Sequence, residues 1–252
     1  MIEYETRGNV AVITIDRPEA RNAVNGQVTE ELEAAVDRME ADDDIWIGIL
    51  THTGPVFCAG ADLKAINAGG AAQLNSPTGG FGGIVAKART KPIIAACNGP
   101  AYAGGCEIVL ACDLLVASSE ARFGVPEVKR NLVAAAGALF RLPAALPRNV
   151  ATEMLLTGDP IDAERAHQLG FVNRLAPPGG AVDAAMALAE EITANAPLAV
   201  RKSLAVSKQT FDTDEAAFTA SGRAIADVMA SEDTAEGLAA FIEKRAPQWK
   251  GR

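Results

Sequence analysis

The sequence predicts an α/β protein of parallel β-α units that gives way to an all-helical C-terminal region. Three observations carry this expectation. Strand candidates at Trp46 to Thr51, Ile93 to Cys97 and Leu114 to Ser118 are separated by helical segments, the rhythm of parallel β-α units. Past residue 145 the strand signal fades and only helical periodicity remains. Two Gly-Ala-rich stretches, Phe57-Cys58-Ala59-Gly60-Ala61-Asp62-Leu63-Lys64 and Asn98-Gly99-Pro100-Ala101-Tyr102-Ala103-Gly104-Gly105-Cys106-Glu107, each follow a strand-like run and lead into a helix.

Taken in order, Val10 to Ile15 reads as a strand that pairs with Ile2 to Thr6 through a turn at Gly8-Asn9. Residues 27 to 41 carry apolar residues at helical spacing (Val28, Leu32, Ala35, Val36, Met39). That helix ends at Asp42-Asp43-Asp44, a solvated turn, because no further ligands stand at the spacings a metal needs. The Gly-, Ala-, Ser- and Pro-rich residues 68 to 83 are expected to form a mobile loop. No Lys-Ser or Lys-Thr follows them, so they do not make a nucleotide phosphate cradle. Helical patterns cover 147 to 157, 162 to 169, 180 to 195, 197 to 209, 213 to 230 and 233 to 245. The division that results is an α/β core over 1–195 and an all-helical region over 196–252, with no internal repeat.

Composition removes several function classes. The 252 residues are 49% apolar and 22% charged, enough to bury a substantial core. A formal net charge of −9 without a basic run gives no support to nucleic-acid binding. The N-terminus lacks the basic and apolar regions of a signal peptide, and no stretch nears the ~18 apolar residues of a membrane span. Four cysteines without C-x-x-C spacing and only two histidines argue against a zinc cluster. Reduced, buried thiols in a cytoplasmic protein are the expectation.

The chemistry that remains belongs to amides and carboxylates. Small residues at a strand-to-helix junction let a ligand approach the main chain, and the first amides of a helix lack intrahelical acceptors. Two such junctions can aim two N–H groups at one oxygen, an oxyanion hole made of backbone. Glu107 opens the apolar run Ile108 to Cys112, and Glu127 lies in Phe123-Gly124-Val125-Pro126-Glu127-Val128. Each by itself suits an ordinary helix start. As a pair in an apolar site they would have raised pKa values and could hold and deprotonate a water. There is no G-x-S-x-G or H-E-x-x-H, and neither His52 nor His167 adjoins a nucleophile. Both histidines are expected to be structural or exposed.

With these pieces in place, the sequence resembles the crotonase superfamily, the enoyl-CoA hydratase and isomerase group. The resemblance runs from Arg17-Pro18-Glu19-Ala20-Arg21-Asn22-Ala23-Val24 through both Gly-Ala stretches and the Phe-Gly-x-Pro-Glu segment to Glu236 through Arg245. It implies a spiral of β-β-α units with a C-terminal helical oligomerisation region, in homotrimers that pair into hexamers. It further implies that the amides of Ala61 and Gly104 bind the thioester oxygen of an acyl-CoA, the substrate, with no cofactor or metal. Glu107 and Glu127 stand where the hydratase branch carries its catalytic glutamates, which favours hydration of a 2-enoyl-CoA to a 3-hydroxyacyl-CoA in fatty-acid or related metabolism. Isomerisation, dehydration, thioester hydrolysis and non-catalytic acyl-CoA binding are the alternatives. CoA would lie along Arg21, Ala23, Val24, Ala59 and Lys64, with Phe241 and Lys244 reaching it from a neighbouring subunit. In one place the chain departs from the pattern. Where hydratases usually show a Pro-Gly-x-Gly-Gly-Thr-like stretch, it reads Asn131-Leu132-Val133-Ala134-Ala135-Ala136-Gly137-Ala138-Leu139. That leaves a branched, cyclic or polar acyl group open.

Overall fold

The computed structural model describes residues 1–209, 218–219, 222–223, 225–226 and 229–248. Its main sheet has six strands in chain order: β1 (Ile2–Arg7), β2 (Val10–Ile15), β3 (Ile47–His52), β4 (Ile93–Cys97), β5 (Leu114–Ser118) and β6 (Arg174–Ala176). β1 and β2 form the expected hairpin, in which Glu3 faces Thr14. Every later neighbour is parallel. A parallel sheet must be covered on both faces, because its crossovers place helices there. Alternation along the strands does this: Ala11, Ile13, Ile15, Leu50, Ile93, Ala95 and Ala117 enter one core, which α1 (Gly26–Ala41) helps to fill. Val10, Val12, Ile47, Ile49, Ile94 and Val116 enter a second core, closed by Ala181, Ala185 and Ala189.

Among the described residues the longer helices that follow are α2 (Gly104–Ala111), α3 (Ala138–Ala145), α4 (Arg148–Thr157), α5 (Ala163–Gln168), α6 (Ala181–Thr193), α7 (Pro197–Gln209) and α8 (Glu232–Glu243). A second, three-stranded sheet joins Ala101–Tyr102, Arg122–Gly124 and Ile161–Asp162. It ties the residues before Glu107 to those before Glu127, and this is its importance for the site.

Two expectations need correction. Residues 68 to 83 are built from the short helical turns Ile66–Gly70 and Ala71–Leu74 and a hairpin of Asn75–Ser76 with Gly80–Phe81. Leu74 and Phe81 are buried, and Thr29 Oγ1 donates to the Leu74 carbonyl at 3.2 Å. Burial against α1 orders a segment whose composition reads as loop. Strand structure also continues past residue 145, at Ile161–Asp162 and in β6. β6 is only Arg-Leu-Ala, with no β-branched residue, and is held by its register on β5. α7 coincides with its expected span, and the last expected helix runs from 232 to 243. The helix expected over 213 to 230 lies largely outside the described residues. Polar contacts fasten the tail to the core, among them Lys208 Nζ on Asp113 Oδ1 at 2.9 Å and Asn131 Nδ2 donating to Ser231 Oγ at 2.8 Å. Among the described residues, no helix is long and apolar enough to cross a membrane.

Candidate active site

The two Gly-Ala stretches run side by side. The Phe57 amide donates to the Pro100 carbonyl at 2.9 Å and the Tyr102 amide to the Cys58 carbonyl at 3.0 Å, a parallel bridge between Cys58 and Ala101. Gly105 permits this approach: a Cβ there would stand 2.2 Å from the Cys58 carbonyl oxygen. Beyond the bridge the stretches stay in contact, and a Cβ on Gly60 would lie 3.2 Å from the Gly104 nitrogen.

Ala103, just before α2, adopts φ 52°, a conformation that costs a residue with a Cβ of order 1–3 kcal/mol. It is held by its amide donating to the Gly124 carbonyl at 2.9 Å and its carbonyl accepting from Glu107 at 3.1 Å. The turn leaves Gly104 as the first residue of α2, its amide at the positive end of the helix. Among the described residues, neither Ala61 nor Gly104 donates its amide to a protein acceptor. Ala61 is flanked by paired groups: Val24 donates to the Gly60 carbonyl and Asp62 to the Val24 carbonyl, both at 2.8 Å.

Glu107 sits in the first half of α2 and is 3% exposed. Its Oε1 accepts from the Ala138 amide at 3.1 Å, so the stretch that departs from the usual pattern ends on this carboxyl. Burial raises the Glu107 pKa well above the ordinary carboxylate range, and the nearby Glu127 raises it further. The amides of Ala138 and Ala136 pull the other way without prevailing. Glu127 lies on the short turn Pro126–Arg130, and burial raises its pKa too, only partly offset by its own amide and by Arg130. Its Oε2 is buried and finds no hydrogen-bond partner among the described residues. Two adjacent acidic groups able to exchange protons near neutrality thus share one apolar site.

The other expected site residues fall into two groups. Arg21 and Lys64 are exposed, Ala59 is half-buried, and the Ala59 amide donates to the Arg21 carbonyl at 3.1 Å. Ala23 is 9% exposed and Val24 not at all; with both main-chain groups of Val24 engaged, it stands behind this surface. Phe241 and Lys244 stand on the last helix and at its end. The Arg130 guanidinium covers the Phe241 ring at 4.3 Å, and Lys244 terminates α8 in a left-handed conformation. A cleft of about 1210 Å³ opens at the far end of α2, lined by residues such as Cys112, Phe140 and Lys208, and includes neither glutamate.

Both histidines hold backbone. His52 Nε2 accepts from the Asn98 amide at 3.0 Å, and His167 Nδ1 lies 2.8 Å from the Val172 carbonyl oxygen. Three residues of the site's frame escape the sequence reading: Arg17, Asn22 and Asp62. Asn22 is fully buried and bonds the Thr53 and Val56 carbonyls at 2.9 and 2.7 Å. A signal existed for Asp62 alone, an acidic residue just before an apolar helix start.

A doubly covered parallel sheet that presents two unengaged amides beside one buried and one half-buried carboxyl defines an enzyme of the crotonase fold. The chain matches the family of enoyl-CoA hydratases and isomerases over residues 5–252, and it belongs to that family. It is 37% identical to a carnitinyl-CoA dehydratase of Proteus mirabilis, an alignment covering 100% of this chain and 98% of that protein. It is 39% identical to an enoyl-CoA hydratase of Mycobacterium tuberculosis, over 98% and 96% of the two chains. The crystal structure of a carnitinyl-CoA hydratase from Mycobacterium avium superposes with a TM-score of 0.94 at 46% identity, covering 100% of this chain and 98% of that one.

Proposed function

We propose that this chain is an enoyl-CoA hydratase that adds water in syn fashion across the α,β double bond of a 2-enoyl-CoA. The observation that carries the reading is the pair of carboxyls, Glu107 buried and Glu127 with one buried oxygen, beside two amides with no protein acceptor. The Ala61 and Gly104 amides would receive the thioester oxygen and stabilise the enolate charge as it develops, in a site dry enough to strengthen that interaction. Glu107 would orient a water and take its proton as the oxygen bonds to the β-carbon. Glu127 would deliver a proton to the α-carbon, giving the 3-hydroxyacyl-CoA. The raised pKa values serve this exchange, because a carboxyl that titrates near neutrality both gives and accepts a proton readily.

The supporting frame is proposed alongside. Arg21, Ala23, Val24, Ala59 and Lys64 would line the CoA path. Phe241 and Lys244 would reach the nucleotide end from a neighbouring protomer of a homotrimer or hexamer, with residues 196–252 as the trimerisation region. The exposure of Leu198, Val206 and Ile242 in that region supports association. The reaction would need neither metal nor redox cofactor, and the setting would be cytoplasmic acyl-CoA metabolism.

A second reading is favoured by one observation. The stretch whose Ala138 amide meets Glu107 carries Ala135 and Ala138 where the family pattern has glycine, and Leu139 where it has a hydroxyl-bearing residue. A reshaped pocket suits dehydration of a substituted 3-hydroxyacyl-CoA by the same groups run in reverse. Loss of absorbance of the conjugated thioester, followed with crotonyl-CoA and longer or branched analogues, tests both directions. Turnover of none of them would defeat the proposal.

A further inference from the structure

The geometry points to Arg17 and Asp62 as positioning residues, a half-buried ionic clip that fixes the direction of the Ala61 amide and so sets transition-state stabilisation from outside the reacting centre. This inference rests on the reading of Ala61 as an oxyanion donor. Ala61 takes part in an isolated parallel bridge with Val24, in which its neighbours, not Ala61 itself, make the hydrogen bonds. In such a bridge the unpaired amide points away from the partner strand, so its direction is set wholly by where the two strands are held.

Arg17 holds both. One guanidinium nitrogen, Nη1, donates to the Ala23 carbonyl at 2.9 Å on one side of the bridge and meets Asp62 Oδ2 at 2.7 Å on the other. The second carboxylate oxygen of Asp62 accepts from the amides of Lys64 and Ala65 at 2.9 and 3.3 Å, which fixes the turn after Ala61. Arg17 is itself anchored, its amide donating to Asn22 Oδ1 at 2.8 Å. The side chains of Arg17 and Asp62 are only 16% and 10% exposed, so water does little to screen the pair. Burial opposes the Asp62 charge, yet the Arg17 bond and the two amides hold its pKa below the ordinary value. The bridge is not part of a longer ladder, and beside the clip the Ala59 amide's bond to the Arg21 carbonyl also helps to keep its register. Without the clip, the two strands can slide or splay and turn the amide off the oxygen.

The test uses Arg17→Gln, Asp62→Asn and the conservative Arg17→Lys in the full chain, with crotonyl-CoA for turnover. Butyryl-CoA labelled with ¹³C at the thioester carbon serves as a saturated probe that binds without reacting. The parent should shift the bound carbonyl resonance and lower its stretching frequency, the signature of a polarised thioester. In Arg17→Gln and Asp62→Asn this polarisation should diminish and kcat fall by roughly 10–100-fold, as for a misplaced donor, with KM within about threefold. Arg17→Lys should recover part of both, and the double variant should lose little more than either single one.

Variants that lose thermal stability but keep the parent's polarisation and kcat would overturn the clip and leave a merely structural ion pair. A parent that polarises the probe yet hydrates no enoyl-CoA would defeat the hydratase reading, with the clip still judged on the carbonyl signal. A parent that leaves the probe unpolarised would overturn the clip. Should Arg17→Gln fail to fold, the near-isosteric Asp62→Asn decides the same question on the same two signals.

Discussion

Replacing Glu107 by Gln should move activity and stability in opposite directions, and the size of each effect follows from where that carboxyl sits. In the unfolded chain it ionises near pH 4.3; in the folded protein burial and Glu127 keep it protonated well above that. The native state therefore holds a proton that the unfolded state has released. Stability from this group is fully present below the unfolded pKa and is lost as pH rises toward the folded one. Between pH 5 and pH 7 the loss amounts to about 3 kcal/mol, from ~1.4 kcal/mol per pH unit. Gln carries no titrating proton, and its amide oxygen can still accept from Ala138.

The variant should thus gain on the parent as pH rises, by on the order of 6–12 °C in Tm at pH 7 relative to pH 5. Turnover, which draws on the fraction of Glu107 that has lost its proton while Glu127 keeps its own, should fall by roughly 10²–10⁴ at pH 8, the contribution of a general base. Thermal unfolding of both proteins at pH 5, 6, 7 and 8, paired with crotonyl-CoA hydration, measures the two effects. Parallel Tm profiles for parent and variant would refute the raised pKa. Unchanged kcat would refute the proton-transfer role.

Glu127→Gln should lower kcat by roughly 10²–10⁴ while the dissociation constant for butyryl-CoA, read by calorimetry, stays within about threefold. Gly105→Ala sets a methyl 2.2 Å from the Cys58 carbonyl oxygen and should cost about 1–3 kcal/mol in denaturant unfolding, together with most of the activity. His52 is buried and accepts from Asn98, so its pKa lies below the ordinary histidine value, chiefly through desolvation. The stability it lends is present above the unfolded pKa near 6.5 and is lost as pH falls through the folded value. His52→Gln should flatten that part of the acid limb of the unfolding profile, and an unchanged limb would assign it to other groups.

Much of the framework was legible because it is written in short-range patterns. β4 and β5 are runs of apolar and β-branched residues whose ends coincide with the expected ones, and α1 shows its stripe from Val28 to Met39. The two junctions announced themselves through clustered Gly and Ala, which have few reasons to gather other than close backbone approach. Glu107 and Glu127 were visible as candidates yet ambiguous, since an acidic residue at a helix start is commonplace.

Residue order was enough to specify an α/β protein with two small-residue strand-to-helix junctions, a helical tail and a pair of candidate glutamates. Folding was needed to order residues 68 to 83 against α1, to make Arg-Leu-Ala at 174–176 a sheet strand, and to stretch Arg17 across a bridge to Asp62. Folding also brought the two carboxyls into one buried site in which each resists ionisation. Periodicity and turn chemistry act over a few residues and can be read in one dimension. Desolvation, mutual repulsion and the aim of an amide depend on what residues twenty or more positions away bring against a group, and the chain acquires those only on folding.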